Sequence, residues 1–101
     1  MKEIKKISEQ IEEELHDAEK YIKCAYKYKE SNRTLADMYY DLSVAEMGHV
    51  DLLHNAGVKL INDYSASNPI PEGMKAIYDY LHERHIDWAG KIKAKQESYV
   101  K

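Results

Sequence analysis

The segment IKKISEQIEEELHDAEKYIKCAYKY (residues 4–28) sets the architecture of this chain, because its apolar residues recur at alternating steps of three and four. Such a heptad pattern predicts one long helix, over about 2–30, whose seam packs against another helix. Leu15 and Ile22 widen the apolar stripe. The seam residues are Ile4, Ile7, Ile11, Glu14, Ala18, Tyr21, Ala25 and Tyr28. One of them, Glu14, places a carboxylate in an otherwise apolar packing face.

A second helix is predicted after a short break at residues 31–33. Thr34 and Asp37 resemble a capping box that starts this helix, which we expect over about 35–62. A turn this short makes the two helices antiparallel neighbours. The predicted seam of the second helix consists of Leu35, Tyr39, Leu42, Glu46, His49, Leu53, Ala56 and Leu60. Glu46 and His49 are its two polar exceptions.

A third helix is predicted after residues 65–73, a stretch that contains both prolines and reads as a long loop. We expect this helix over about 71–95. Its apolar face is marked by Met74, Ile77, Leu81, His85, Trp88 and Ile92. The chain (1–101) is therefore predicted to be one all-α domain, an antiparallel hairpin of long helices plus a shorter third helix.

Composition narrows the classes of function. The 101 residues carry 15 basic and 18 acidic side chains in interspersed order, which gives no basic face for nucleic acid. No apolar run approaches the ~18 residues of a membrane span, and the first ten residues lack the apolar core of a signal peptide. We therefore expect a soluble cytoplasmic protein. The single cysteine, Cys24, rules out an internal disulfide and a multi-cysteine zinc site within one chain.

Glu-x-x-His spacing alone is weak evidence in this chain. Glu13 and His16 share it, and Asp51 with His54 and Asp79 with His82 are close variants. At about 100° per residue, the first two of these pairs turn away from the seams and are expected on the surface. Only Glu46 and His49 lie in a seam, opposite the helix that carries Glu14.

Two interpretations of these three seam residues remain open at this point. Buried carboxylates must pair, take up a proton or bind a cation. Glu14, Glu46 and His49 are oxygen and imidazole ligands that suit iron or manganese. Alternatively, a protonated His49 bridges the two carboxylates as an ionic lock that fixes the register of the helices.

The constellation resembles the ferritin-like superfamily, including rubrerythrins and bacterioferritins. In those proteins the first helix supplies a Glu and the second supplies Glu-x-x-His about 30 residues later. Here Glu46 follows Glu14 by 32 residues, and Tyr21 also matches the rubrerythrin-like pattern. The resemblance covers roughly residues 10–56. It implies an iron site, with manganese as an alternative, in which Glu46 bridges two metals while Glu14 and His49 are terminal ligands.

One chain supplies only half of such a site. A complete di-iron bundle needs two Glu and two Glu-x-x-His sets, and the third helix holds no second Glu-x-x-His. A two-fold homodimer would complete a four-helix bundle with two irons. The layout is similar to that of encapsulated ferritins, whose di-iron site lies between subunits in a ring of dimers. That resemblance implies a ferroxidase, an oxidoreductase that oxidises and sequesters iron. The C-terminal residues 96–101 show no obvious cargo tail, so a protein-shell partner is left open.

The alternative function belongs to another class. A metal-free helical structural or adaptor protein, of the kind that phages encode, would use its nine tyrosines as partner surfaces. In that protein Glu14, Glu46 and His49 would form the ionic lock.

For several other residues in or near the seams, the sequence supports weaker predictions. Tyr21 and Tyr39 could hydrogen-bond the ligating carboxylates, or simply fill the core. Ala45 and Gly48 form a strip of small residues that either allows close approach of another helix or is merely a weak helix position that the fold tolerates. His85 is expected to be a satisfied core or interface histidine rather than a ligand.

Overall fold

The computed structural model describes residues 2–101, which form three α-helices and no strand. They are α1 (Lys2–Tyr28), α2 (Arg33–Ser67) and α3 (Glu72–Ser98). The predicted all-α class is confirmed, but the third helix is not shorter than the first, since α1 and α3 have 27 residues each and α2 has 35. Within residues 2–101 each helix lacks the long apolar run that a bilayer crossing requires.

The helices run up, down and up along one elongated body of 55 × 18 × 17 Å. Early residues of α1 meet late residues of α2, as Ile7 approaches Gly57, so these two helices form the expected antiparallel hairpin. The contacts of Glu12 and Glu19 with His85 and Trp88 show that α3 runs parallel to α1. The long axis matches the ~52 Å of a straight 35-residue helix, so α2 spans the whole molecule.

The ends of α2 differ from the prediction for identifiable reasons. Asn32, not Thr34, is the N-cap, because its side-chain oxygen accepts the backbone N–H of Leu35 at 3.1 Å. At the other end the helix continues through Ser67. The helix ends before Asn68, whose backbone is extended (φ −139°, ψ 132°), as expected for a residue that precedes a proline. The predicted loop over 65–73 therefore shrinks to 68–71.

The predicted seam of α1 is confirmed in part, whereas the buried face of α2 is rotated from its predicted seam. The buried seam residues of α1 are Ile4, Ile11, Ala18 and Ala25. Leu15 and Ile22, which only widened the stripe of α1, are completely buried, whereas the seam residue Glu14 is partly exposed. The buried residues of α2 are Ala36, Ser43, Met47 and Val50 rather than the predicted set. The cause is α3, which packs along one side of the hairpin. The residues of α1 and α2 that face α3 are therefore the most deeply buried. In α3 the prediction fails for Ile77, which is 57% exposed.

Tyrosine rings form a second core at the end of the molecule that holds both the α1–α2 turn and the end of α3. Tyr99 stacks on Tyr40 (4.9 Å between centroids) and meets the edge of Tyr26 (5.5 Å). Its hydroxyl donates to Asp37 at 2.8 Å. Burial raises the pKa of Tyr99, and the hydrogen bond to Asp37 adds to that rise. The tyrosines thus supply apolar rings together with a satisfied polar edge.

The three helices are joined at Ser43, which is fully buried. Its hydroxyl donates to the backbone carbonyl of Ala18 in α1 at 2.7 Å. The same oxygen accepts the side-chain amide of Gln96 in α3 at 2.8 Å. Because these buried groups are shielded from water, each depends on these hydrogen bonds for a partner. The bonds therefore fix the axial position of α3 relative to the hairpin.

We expect Ser43→Ala to lower the free energy of unfolding by about 1–3 kcal/mol, because it leaves the Gln96 amide unsatisfied inside the core. Urea denaturation followed by circular dichroism measures this change. The exposed Ser98→Ala is the matched control and should change stability by less than about 0.5 kcal/mol. Equal effects of the two substitutions would contradict the assigned role of Ser43.

Candidate metal centre

Glu14, Glu46 and His49 come together midway along the hairpin. Each offers one ligand atom, and these atoms all lie within 4.8 Å of one another. Nδ1 of His49 is 3.4 Å from Oε2 of Glu14 and 3.7 Å from Oε2 of Glu46. Within residues 2–101 this is the one group of three or more such side chains close enough to hold an ion together. It is the set that the sequence predicts.

The group lies at an open face of the molecule. The side chains of Glu46 and Glu14 are 18% and 29% exposed, while His49 is 56% exposed. The contacts of α3 reach other residues of the hairpin, among them Glu12, Glu19 and Ser43. The three candidate ligands therefore point away from α3, with the carboxylates set back and the imidazole at the surface.

The donor set fits a transition metal ion. Ligand atoms that share one ion at about 2.1 Å are at most about 4.2 Å apart, so a small side-chain movement would close this group on a cation. Two carboxylates and one imidazole are donors that iron and manganese accept. Two negative charges beside each other also favour a cation between them.

The same distances fit the ionic lock. A protonated His49 at 3.4 and 3.7 Å from the two carboxylates would pair with both. Because the imidazole is more than half exposed, solvent would weaken such a pair to about 0–1 kcal/mol. The geometry thus allows the lock, but the exposure limits what it could contribute to stability.

The competing Glu/Asp-x-x-His pairs are arranged largely as predicted. Glu13, His16 and Asp51 are exposed. His54 is the exception, since it is half-buried and its ring stacks on that of His82 with 4.9 Å between centroids. The prediction that His54 is a surface residue is therefore wrong, because α3 reaches this side of α2.

Tyr21 and Tyr39 pack on each other, and Gly48 faces solvent. The rings of Tyr21 and Tyr39 stack at 6.1 Å. In the described part of the chain neither hydroxyl hydrogen-bonds to Glu14 or Glu46, so these rings fill space. Gly48 is exposed, and a Cβ added there would meet nothing within 4 Å.

His85 is a satisfied core histidine, as predicted. It is 9% exposed, and its Nε2 lies 3.3 Å from Oε1 of Glu12. The same carboxylate oxygen accepts Nε of Arg84 at 3.1 Å. Burial lowers the pKa of His85, against the opposing effect of Glu12. Spacing in the sequence gave no sign of the Glu12 contact, nor of the hydrogen bond from Trp88 to Glu19 at 3.0 Å, since both join distant parts of the chain.

Comparison with known proteins adds no relative: no protein-family model, no curated protein and no solved structure matches this chain. The ferritin-like interpretation consequently depends on the ligand group and its surroundings.

Acidification should destabilise the fold through His85. Burial holds the pKa of His85 below its ordinary 6.5, so the unfolded chain takes up this proton at a higher pH than the folded chain does. The free energy of unfolding therefore falls as the pH drops through about 6.5. We expect urea denaturation between pH 7.5 and 5.5 to show a shallower fall for His85→Gln than for the natural sequence.

The exposed His16→Gln should keep the full pH dependence and serves as the control. Glu12, Arg84 and His82 also act on His85, and both variants retain all three. An unchanged slope in His85→Gln would assign the pH dependence to another group.

Proposed function

We propose that this chain is an iron-binding, ferritin-like protein whose di-iron site forms between two copies. Glu14, Glu46 and His49 of each copy would hold the metal, with Glu46 bridging. The assembly would oxidise Fe(II) with dioxygen or peroxide. The observation that carries the proposal is the meeting of these three side chains within 4.8 Å at an open face.

The ligand count favours two copies. Three side chains leave an iron with vacant coordination positions, and two irons need about twice as many protein ligands. Because Glu14, Glu46 and His49 lie at the face that α3 leaves uncovered, a second hairpin could approach them directly. A two-fold axis near His49 would bring two identical ligand groups together.

Apolar residues surround His49 on the same open face of α2. They recur at steps of four and three along the helix and are all exposed. The stripe consists of Met38, Leu42, Ala45, His49, Leu52 and Ala56. Leu52 is 70% exposed and Met38 is 45% exposed. An exposed heptad stripe is typical of a helix that pairs with another helix, and the small residues Ala45 and Gly48 would permit close approach.

Each residue of the site has a definable task. The carboxylates of Glu14 and Glu46 would neutralise the positive charge of the metal, and the imidazole of His49 would bind through a neutral nitrogen. Bound iron would supply the redox chemistry: two Fe(II) would give two electrons, which with two protons from water would reduce dioxygen to hydrogen peroxide and leave two Fe(III). The surrounding stripe would exclude bulk water once a second copy covers it.

The alternative is a metal-free helical structural or adaptor protein, and one observation supports it. His49 lies at ion-pair distance from both Glu14 and Glu46. In that protein the three side chains would fix helix register, and the exposed stripe would meet a different partner.

Iron binding tests the proposal directly. Anaerobic titration of the metal-free protein with Fe(II) should give about one iron per chain, and admission of air should produce Fe(III) absorbance. Glu14→Ala and Glu46→Ala should abolish both signals, because each removes a ligand. Glu13→Ala removes an exposed carboxylate next to Glu14 and should bind like the natural sequence. Failure of the natural protein to bind near this stoichiometry would refute the proposal.

The melting temperature distinguishes a metal site from an ionic lock at Glu14, Glu46 and His49. A metal that binds only the folded chain raises the melting temperature, by about 4–8 °C for each kcal/mol of binding free energy in a domain of this size. We expect a rise with Fe(II) or Mn(II) and its reversal by EDTA. In metal-free protein Glu46→Gln should be neutral or stabilising, since it relieves repulsion with Glu14. If the three side chains form the ionic lock, the melting temperature should not change with added metal. Glu46→Gln should then lower the melting temperature of the metal-free protein.

The stripe should control assembly. Leu52→Glu places a charge on the proposed interface, so we expect analytical ultracentrifugation to show a monomer where the natural chain is a dimer. The affinity of the protein for Fe(II) should fall in the same variant, because the dimer completes the site. Tyr80→Glu changes a residue of α3 that is 64% exposed and should leave the dimer intact. A dimer that survives Leu52→Glu would place the interface elsewhere.

A further inference from the structure

A separate cavity of about 620 Å³ lies at the end of the molecule that holds the first turns of α1, the last turns of α2 and the start of α3. Its lining is mainly apolar. The apolar side chains come from all three helices and include Ile4, Ile7, Val58, Ile61, Met74 and Leu81. Small-molecule sites in proteins measure about 300–1,000 Å³ and are lined in this way, with a few polar groups.

The sequence provides apolar residues here that the fold does not bury. Between Val50 and His85 no residue reaches the buried class, although this region contributes a dozen apolar side chains. Ile77 lines the cavity and is 57% exposed. One core cluster begins at Ile11, at the inner wall of the cavity, and the other lies at the opposite end of the bundle. An occupant of the cavity would remove this apolar surface from water.

Charge at the rim indicates the kind of occupant. Glu9 and Glu12 line the cavity, and Glu12 is already paired with Arg84 and His85. Lys2 and Lys5 line it too, and within residues 2–101 neither lysine forms a salt bridge. They stand in the first turns of α1, where the helix dipole adds further positive potential. With Glu12 paired, the two ammonium groups outnumber the one remaining carboxylate, Glu9, so the outer end of this apolar cavity carries a net positive charge. Such a cavity suits an alkyl chain that carries an anionic head.

We propose that this cavity binds an anionic single-chain amphiphile of the fatty-acid class. The alkyl chain would lie among the isoleucines, and the carboxylate would face Lys2 and Lys5. A second copy of the chain is a poorer occupant, because the exposed stripe around Leu52 lies on the opposite side of α2, about 180° from Ile61. The site is also distinct from the Glu14–Glu46–His49 group, so it does not depend on the proposed iron chemistry.

Dodecanoate is the probe that tests this inference. Isothermal titration calorimetry below the micelle concentration, with EDTA present, should show saturable binding of one dodecanoate per chain. Dodecyltrimethylammonium has the same alkyl length and a cationic head, and should bind about tenfold more weakly or not at all. Glu46→Ala should bind dodecanoate like the natural sequence, which keeps this result separate from that of the iron titration.

Two matched pairs of variants locate the site. Ile77→Glu puts a carboxylate into the cavity and should weaken dodecanoate binding about tenfold or more, whereas Ile86→Glu, equally exposed at 57% but outside this cavity, should not. The double variant of Lys2→Glu and Lys5→Glu should weaken binding about fivefold. Lys6→Glu with Lys20→Glu makes the same change of net charge on exposed residues and should leave binding intact.

Three results would overturn the proposal. One is the absence of saturable binding. Another is equal binding of the anionic and cationic amphiphiles, or equal effects of the paired variants. The third is loss of dodecanoate binding as protein concentration rises, which would show that a second copy fills the cavity.

Discussion

The hydroxyl of Ser43 is the point on which the arrangement of the helices depends. It donates to α1 through the Ala18 carbonyl and accepts from α3 through Gln96. Apolar packing alone tolerates sliding of one helix along another, whereas a buried pair of hydrogen bonds accepts a single register. With that register set, Trp88 reaches Glu19, His85 reaches Glu12 and Tyr99 reaches Asp37. The third helix is thereby held to one side of the hairpin.

That placement decides which face can carry function. Since α3 covers the side of Leu15 and Ser43, the other side of the hairpin keeps Glu14, Glu46 and His49 accessible. The same face carries the exposed apolar stripe of α2. A ligand group with spare coordination capacity thus lies within a surface suited to a second helix pair. At the far end the helices leave a cavity instead of a core, so the molecule combines one polar and one apolar candidate site.

The sequence predicted the fold where local periodicity governs it, and failed where tertiary contacts do. Heptad spacing was enough for three helices, for the hairpin, and for Glu14 facing Glu46 and His49. It could not reveal that α3 would shift the buried arcs toward Leu15 and Met47. Asn32 and Thr34 are both good caps, so local chemistry alone did not separate them. The Glu12–His85 contact joins residues 73 positions apart, which no spacing rule reaches.

If two copies share one di-iron site, native mass spectrometry of the iron-loaded protein will detect the dimer and its metal together. We expect a dimer that carries two irons, together with loss of the metal in Glu46→Ala. A monomer, or a dimer whose mass shows no metal after exposure to Fe(II), would rule out a shared iron site and leave Glu14, Glu46 and His49 as an ionic lock.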